Sequence, residues 1–196
     1  MDKRTEPQPQ RNADIKKLHE RLRGGHVMRY HTRPELADGQ NVAAHTWRAM
    51  VILDTLWPDS SRNAMRYMLY HDVAEAELGD MPATTKWGYP AINAEMIKAE
   101  QEYEEKIGVK TQVYEKEHAM CDISDKLELV LHCYRLMQQG NGLAEDVFYK
   151  GVNYLRQKYS QNPVFLPAKG VLDELTTKKN QKPEHISSIL RRLCHV

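Results

Sequence analysis

The segment Tyr70-His71-Asp72-Val73-Ala74-Glu75-Ala76-Glu77-Leu78-Gly79-Asp80-Met81-Pro82 concentrates ionisable groups where the surrounding pattern is apolar and helical. At helical spacing His71 and Glu75, four positions apart, share one face, and Asp72 lies about 100° round the axis. Burying an imidazole or a carboxylate costs several kcal/mol unless it is paired or bound to a metal. Read alone, the segment suits a salt-bridged helix end as well as a metal or acid–base site. Two more groups raise the same question. His45 falls on the apolar stripe Val42, Ala49, Ile52, Leu53 and Leu56, where a single histidine usually reads as a satisfied core residue. Asp125 lies beside the stripe Met120, Ile123, Leu127, Val130, Leu131, Tyr134 and Met137, where a carboxylate needs a partner. Together His45, His71, Asp72 and Asp125 supply two imidazoles and two carboxylates from three helices. That donor set suits an octahedral N/O site for Mn²⁺, Fe²⁺, Co²⁺, Ni²⁺ or Mg²⁺ better than a closed thiolate zinc site. One divalent cation would account for four otherwise costly residues.

The elements that must carry these groups are all helical, and no period-2 strand pattern is evident. Asn12 or Asp14 can cap a first helix through about Arg23, with Ile15, Leu18 and Leu22 on its apolar face and Gly24-Gly25 as its stop. The segment from His26 to Gly39 reads as irregular, broken by Pro34, and holds Arg29-Tyr30-His31-Thr32-Arg33. On composition alone this is a solvated basic loop. Asn41 begins the helix of His45, which ends near Trp57-Pro58. Ser60 or Ser61 caps the next, roughly Arg62 to Leu78, with Met65, Met68, Leu69, Val73 and Ala76 as its buried face. A loop over Ala83–Pro90 contains Lys86. An exposed helix follows from about Ala91 to Lys106, rich in Glu and Lys, and then one from about Thr111 to Gln139 that carries Asp125. After Gly140-Asn141-Gly142 a helix spans Leu143 to Ser160. Residues 161–183 are turn-rich, and a short helix is expected over about Glu184 to Cys194.

The chain has 196 residues, 41% hydrophobic, enough for one core. The expected layout is a disordered tail over 1–12, a main helical domain over 13–160 and an extension over 161–196, packed on the domain or used in assembly. A net charge of +1 gives no field for a nucleic-acid polymer or a membrane surface. No signal peptide or span of about 18 apolar residues is evident. Cys121, Cys133 and Cys194 have neither disulfide-framework nor zinc-ribbon spacing, so reduced thiols and a cytoplasmic location are expected.

Over about residues 15–160 the sequence resembles the HD-domain metal-dependent phosphohydrolases. Among them it is closest in pattern to the bacterial 5′-deoxynucleotidases and small phage dNTP (dATP) triphosphohydrolases. The matching residues are Arg29-Tyr30, Asn41-Val42-Ala43-Ala44-His45-Thr46, Tyr70-His71-Asp72-Val73-Ala74-Glu75, Gly79-Asp80-Met81-Pro82 with Lys86, and Ser124-Asp125-Lys126-Leu127. The resemblance implies an all-α bundle of about six to eight helices. It implies that His45, His71, Asp72 and Asp125 hold one cation, which binds a phosphate oxygen and lowers the pKa of a water. It further implies Glu75 and Asp80 as proton carriers, Arg29 and Lys86 as phosphate contacts, and Tyr30 with Pro82 as a wall against the deoxyribose. The implied substrates are dNMPs or, as the alternative, dNTPs, and the implied assembly is a homo-oligomer, a dimer or larger.

Two positions depart from that pattern. Tyr30 stands where many relatives have Trp, which bears on sugar selection. Asp122 stands where several have a basic residue, which removes one contact for a longer polyphosphate. His31-Thr32-Arg33 adds polar groups that bear on base preference. Two other classes compete with this reading: a non-catalytic HD module with a vestigial site, and a cyclic-nucleotide or (p)ppGpp hydrolase. The full ligand set argues against the first. The Arg29-Tyr30 and Gly79-Asp80-Met81-Pro82 match argues against the second.

Overall fold

A computed structural model describes residues 8–33 and 35–177. The chain is all-α: α1 (Gln8–Gly24), α2 (Val42–Leu56), α3 (Arg62–Tyr70), α4 (Glu75–Leu78), α5 (Ala83–Gly88), α6 (Pro90–Ile107), α7 (Glu115–Gln138), α8 (Glu145–Tyr159) and α9 (Leu166–Thr177). Among the described residues, extended pairing amounts to the single antiparallel bridge of Met28 with Asn41. None of these helices is long and apolar enough to cross a membrane.

Helix α7 is the axis of the bundle. Ile123, Leu127, Val130, Cys133 and Tyr134 are buried on it, and so are the polar Ser124, Glu128 and His132. Both apolar and polar faces are therefore covered, by α2 and α3 on one side and α8 and α9 on another. Helix α8 comes close because Gly151 has no side chain: a Cβ there would stand 2.8 Å from Val130 Cγ2. The expected caps form. The Asn41 side chain accepts from the Ala44 amide at 2.9 Å, and Ser61 Oγ from the Ala64 amide at 3.1 Å.

Several sequence expectations change. The helix expected over Arg62–Leu78 is interrupted: α3 stops at Tyr70, residues 71–74 turn, and α4 resumes at Glu75. Val73 and Ala74 in that turn pack into a second small core with Tyr103, Ile107 and Val109. Tertiary burial thus overrides the continuous helical pattern. Leu69, expected inside, is exposed. Helix α6 is anchored through Tyr103 and Ile107 rather than fully exposed, and Arg21 donates to the carbonyls of Ile107 and Gly108 at its end. The Ala83–Pro90 loop is mostly the short α5. The first helix starts at Gln8, ahead of Asn12, and Ile15, Leu18 and Leu22 are 56–63% exposed, not buried. Residues 163–177, read as turn-rich, form a 3-10 turn and α9, and Val164, Phe165, Val171, Leu172 and Leu175 enter the main core. Apolar residues at helical spacing outweigh Pro163 and Pro167, which sit at helix starts where proline is tolerated. Pro34, residues 1–7 and the helix expected near Glu184–Cys194 lie outside the described residues.

Candidate metal centre

Helix α2 presents His45 from its first turn into the core. The break after α3 presents His71 and Asp72, and mid-α7 presents Asp125. The His45 and His71 Nε2 atoms are 3.3 Å apart. Asp72 Oδ2 lies 3.3 Å from the Nε2 of His71 and 3.7 Å from that of His45. One donor atom from each of His45, His71 and Asp72 falls within 4.8 Å of the others. Asp125 Oδ1 stands on the His45 side, 3.1 Å from its Nε2 and 4.0 Å from that of His71. All four residues singled out in the sequence therefore meet.

The outward nitrogens of the two rings are already engaged. His71 Nδ1 donates to the Met68 carbonyl at 2.7 Å, and His45 Nδ1 donates to Glu128 Oε2 at 2.7 Å. A carbonyl can only accept, and Glu128 is held ionised, so each Nδ1 carries the proton. Burial opposes ionisation of Glu128, but the bond from His45 holds its pKa below the usual range. Both Nε2 lone pairs then face one point, with carboxylate oxygens around it. Such an arrangement needs a positive charge at its centre. Without a metal a proton serves: burial opposes the charged His45, but Asp125 and Glu128 outweigh it and raise its pKa to about 9. The donor set and its convergence fit a divalent cation coordinated by nitrogen and oxygen.

The surrounding charges are paired. Arg29 Nη1 donates to Asp72 Oδ2 at 2.6 Å, while its buried Nε has no partner. Burial opposes the Arg29 charge, and Asp72 more than offsets it. Lys126 Nζ donates to Asp125 Oδ2 at 2.6 Å. Despite burial, Asp72 lies below its ordinary range beside His71 and Arg29, and Asp125 well below beside Lys126 and His45. Glu75 behaves oppositely. Burial, reinforced by Asp72 and Asp80, raises its pKa to about 8, and its Oε2 is buried with no hydrogen-bond partner. It is a carboxylic acid that keeps its proton at neutral pH. Asp80 also faces His31 Nδ1 at 3.6 Å. Lys86 stands close enough to Glu75 and Glu100 to stabilise the charged form of each.

Tyr30 is turned into the protein. Its backbone has φ 61°, the left-handed region, which costs a bulky residue about 1 kcal/mol or more. Its ring stacks on His132 with centroids 5.0 Å apart, and its buried hydroxyl has no partner. Pro82 is half-buried at the start of α5. Asp122 accepts from Tyr159 at 2.6 Å and from Lys158 at 3.0 Å.

The profile of the HD domain matches residues 15–158, most of the chain. The chain belongs to the HD-domain family. Proteins with HD domains are generally hydrolases that bind divalent metals, and the His-His-Asp cluster here can hold one. Among solved structures, the chain is similar to the PH0347 protein of Pyrococcus horikoshii OT3. The two are 18% identical with a TM-score of 0.58, over 84% of this chain and 99% of that one, a likeness of fold. No curated protein matches.

Two residues of this HD centre escaped the sequence reading. Glu128 and Gln40 are buried, and the Gln40 side chain donates to Glu128 Oε1 at 2.9 Å. The available signal was a glutamate inside the apolar run Leu127–Leu131, one helical turn after Asp125.

Proposed function

We propose that this HD-domain protein is a deoxynucleotide phosphohydrolase that uses one divalent cation, acting on 2′-deoxynucleoside 5′-monophosphates. The observation that carries the hydrolase chemistry is the pairing of the His45–His71–Asp72–Asp125 cluster with a protonated acid, Glu75, just beyond it. A divalent cation held by those four residues supplies charge stabilisation at the phosphoryl oxygen and an acidified water. Arg29, with His71, keeps Asp72 ionised, and its guanidinium puts positive charge beside the centre for a phosphate oxygen. Lys86 adds a positive charge on the Glu75 side. Glu75 carries the proton that the leaving 5′-oxygen needs, and burial, with the negative charge of Asp80 nearby, keeps Glu75 protonated. The contact of Tyr30 and Pro82 with the sugar rests on sequence likeness, and Tyr30, stacked on His132, would have to meet it by a ring edge or by turning outward. The deoxynucleotide substrate rests on the likeness of the Arg29-Tyr30 and Gly79-Asp80-Met81-Pro82 segments to deoxynucleotidases. The monophosphate is favoured over the triphosphate because Asp122 stands at a sequence position where several relatives carry a basic residue, one donor fewer for a longer polyphosphate.

The exposed apolar faces, Ile15, Leu18 and Leu22 of α1 and Trp47 and Val51 of α2, support a homo-oligomer, which light scattering tests. The function is tested by incubating each dNMP and dNTP with Mn²⁺ or Co²⁺ beside an Asp72→Ala control and resolving the products. Nucleosides from dNMPs, with a silent control, are the expected result. Reaction of dNTPs alone establishes the triphosphohydrolase instead. Turnover of only cyclic or ribonucleotide substrates removes the deoxynucleotide assignment.

A further inference from the structure

We infer that Glu128 is a positioning residue for the metal centre, which orients His45 and strengthens it as a ligand while Gln40 ties it to the Arg29–Tyr30 segment. This rests on the reading of His45 as a ligand. Glu128 Oε2 accepts from His45 Nδ1 at 2.7 Å, and Oε1 accepts from Gln40 Nε2 at 2.9 Å. Arg48 Nη1 is 3.5 Å away at the rim. His45 and Glu128 are both buried, so water cannot replace either bond. The Oε2 bond fixes the proton on Nδ1, turns Nε2 toward Asp72 and Asp125, and puts negative charge behind the ring. Carboxylates behind ligating histidines do this, and their loss lowers metal affinity about 10- to 100-fold.

The second bond extends the effect. The Gln40 carbonyl accepts from the Arg29 amide at 3.0 Å, and the bridge of Met28 with Asn41 flanks it. One carboxylate therefore touches the ring of His45 and, through Gln40, is tied to the strand-like segment that carries Arg29. A carboxylate present only to balance a buried imidazole would need the bond to His45 but not the one to Gln40. Glu128 also offers no atom to the centre itself, since both its oxygens point to partners behind it.

The test is calorimetric Co²⁺ titration of the metal-free full-length protein, its Glu128→Gln and Glu128→Ala variants, and Asp125→Ala. The Co²⁺ d–d spectrum is recorded for each, and near-UV circular dichroism checks the fold. Glu128→Gln keeps an oxygen for His45 Nδ1. The Gln40 amide, whose Oε1 has no partner, can turn to accept from the new amide. This variant should fold, bind Co²⁺ about tenfold more weakly and show an altered d–d spectrum. Glu128→Ala should weaken binding about 100-fold, and if it does not fold the Gln variant decides alone. Affinity within twofold of wild type with an unchanged spectrum in a folded Glu128→Gln overturns the positioning role. A wild type that binds no Co²⁺ overturns the metal centre itself, and this role with it. Wild-type binding that is lost in Asp125→Ala keeps the two failures apart.

Discussion

Replacing Glu75 by glutamine should flatten the loss of stability of the metal-free protein as pH rises from 5 to 8, while abolishing turnover. Burial and the charges of Asp72 and Asp80 raise the Glu75 pKa from 4.5 to about 8. The unfolded chain releases this proton near its ordinary pKa, and the folded chain does not. The stability Glu75 contributes is therefore complete below pH 4.5 and is lost as pH rises toward 8. At 1.36 kcal/mol per unit, linkage gives a loss of about 3 kcal/mol between pH 5 and pH 8. Glu75→Gln removes the titration. Any cost of a buried amide without a partner is the same at both pH values and cancels in the comparison. The assay is urea unfolding of wild type and variant at pH 5 and pH 8 after chelation, because a cation beside Asp72 weakens the repulsion that raises Glu75. With a slope of about 2 kcal/mol per M, the wild-type midpoint should fall about 1.5 M further than the variant's. Parallel shifts would refute the argument, since Glu75 would then titrate as an ordinary carboxylate.

Other perturbations follow from the same geometry. Co²⁺ should displace the proton His45 holds: calorimetry in two buffers at pH 7.5 should find about one proton released from His45 and a further fraction from Glu75, the total falling toward zero as pH passes the His45 pKa of about 9. Tyr30→Phe should leave stability unchanged or raise it by up to about 1 kcal/mol, because the buried hydroxyl it removes has no partner. Thermal unfolding checks this, and a loss above 1 kcal/mol would mean that a water or side chain serves that hydroxyl. Gly151→Ala should cost about 1–3 kcal/mol in denaturant unfolding, since the added Cβ meets Val130 Cγ2 at 2.8 Å between α7 and α8. Lys86→Ala should raise KM for a dNMP more than it lowers kcat if its role is ground-state attraction for phosphate.

The four convergent residues could be read from the sequence because each was costly in its place. A histidine on the α2 stripe, a His-Asp pair in an apolar pattern and an aspartate in mid-α7 each demanded a partner, and each proved to be another's. The caps at Asn41 and Ser61 were equally legible, since their chemistry is local. The break at residues 71–74 was not, because the residues there suit a helix, and Val73 and Ala74 are drawn out of one by Tyr103 and Ile107 on α6. The α1 stripe misled for the related reason that periodicity reports an apolar face without saying what covers it. The orientation of Tyr30 depends on a left-handed backbone that its residue type disfavours, so composition argued against what the fold imposes. Glu128 was hidden among its apolar neighbours, and only its distance to His45 identifies its work.

The centre joins parts of the chain that lie far apart in order: His45 and Glu128 meet across 83 positions. Such a contact closes a long loop and forms only after α2 and α7 have docked. A cation that needs His45, the 71–72 turn and Asp125 together finds few of its ligands assembled before the rate-limiting step of folding is past. It should therefore act as a latch, prolonging the lifetime of the folded molecule while leaving its rate of formation nearly unchanged. Chelation would then be felt first as a shorter life, with unfolding quickened, and only secondarily as a slower return.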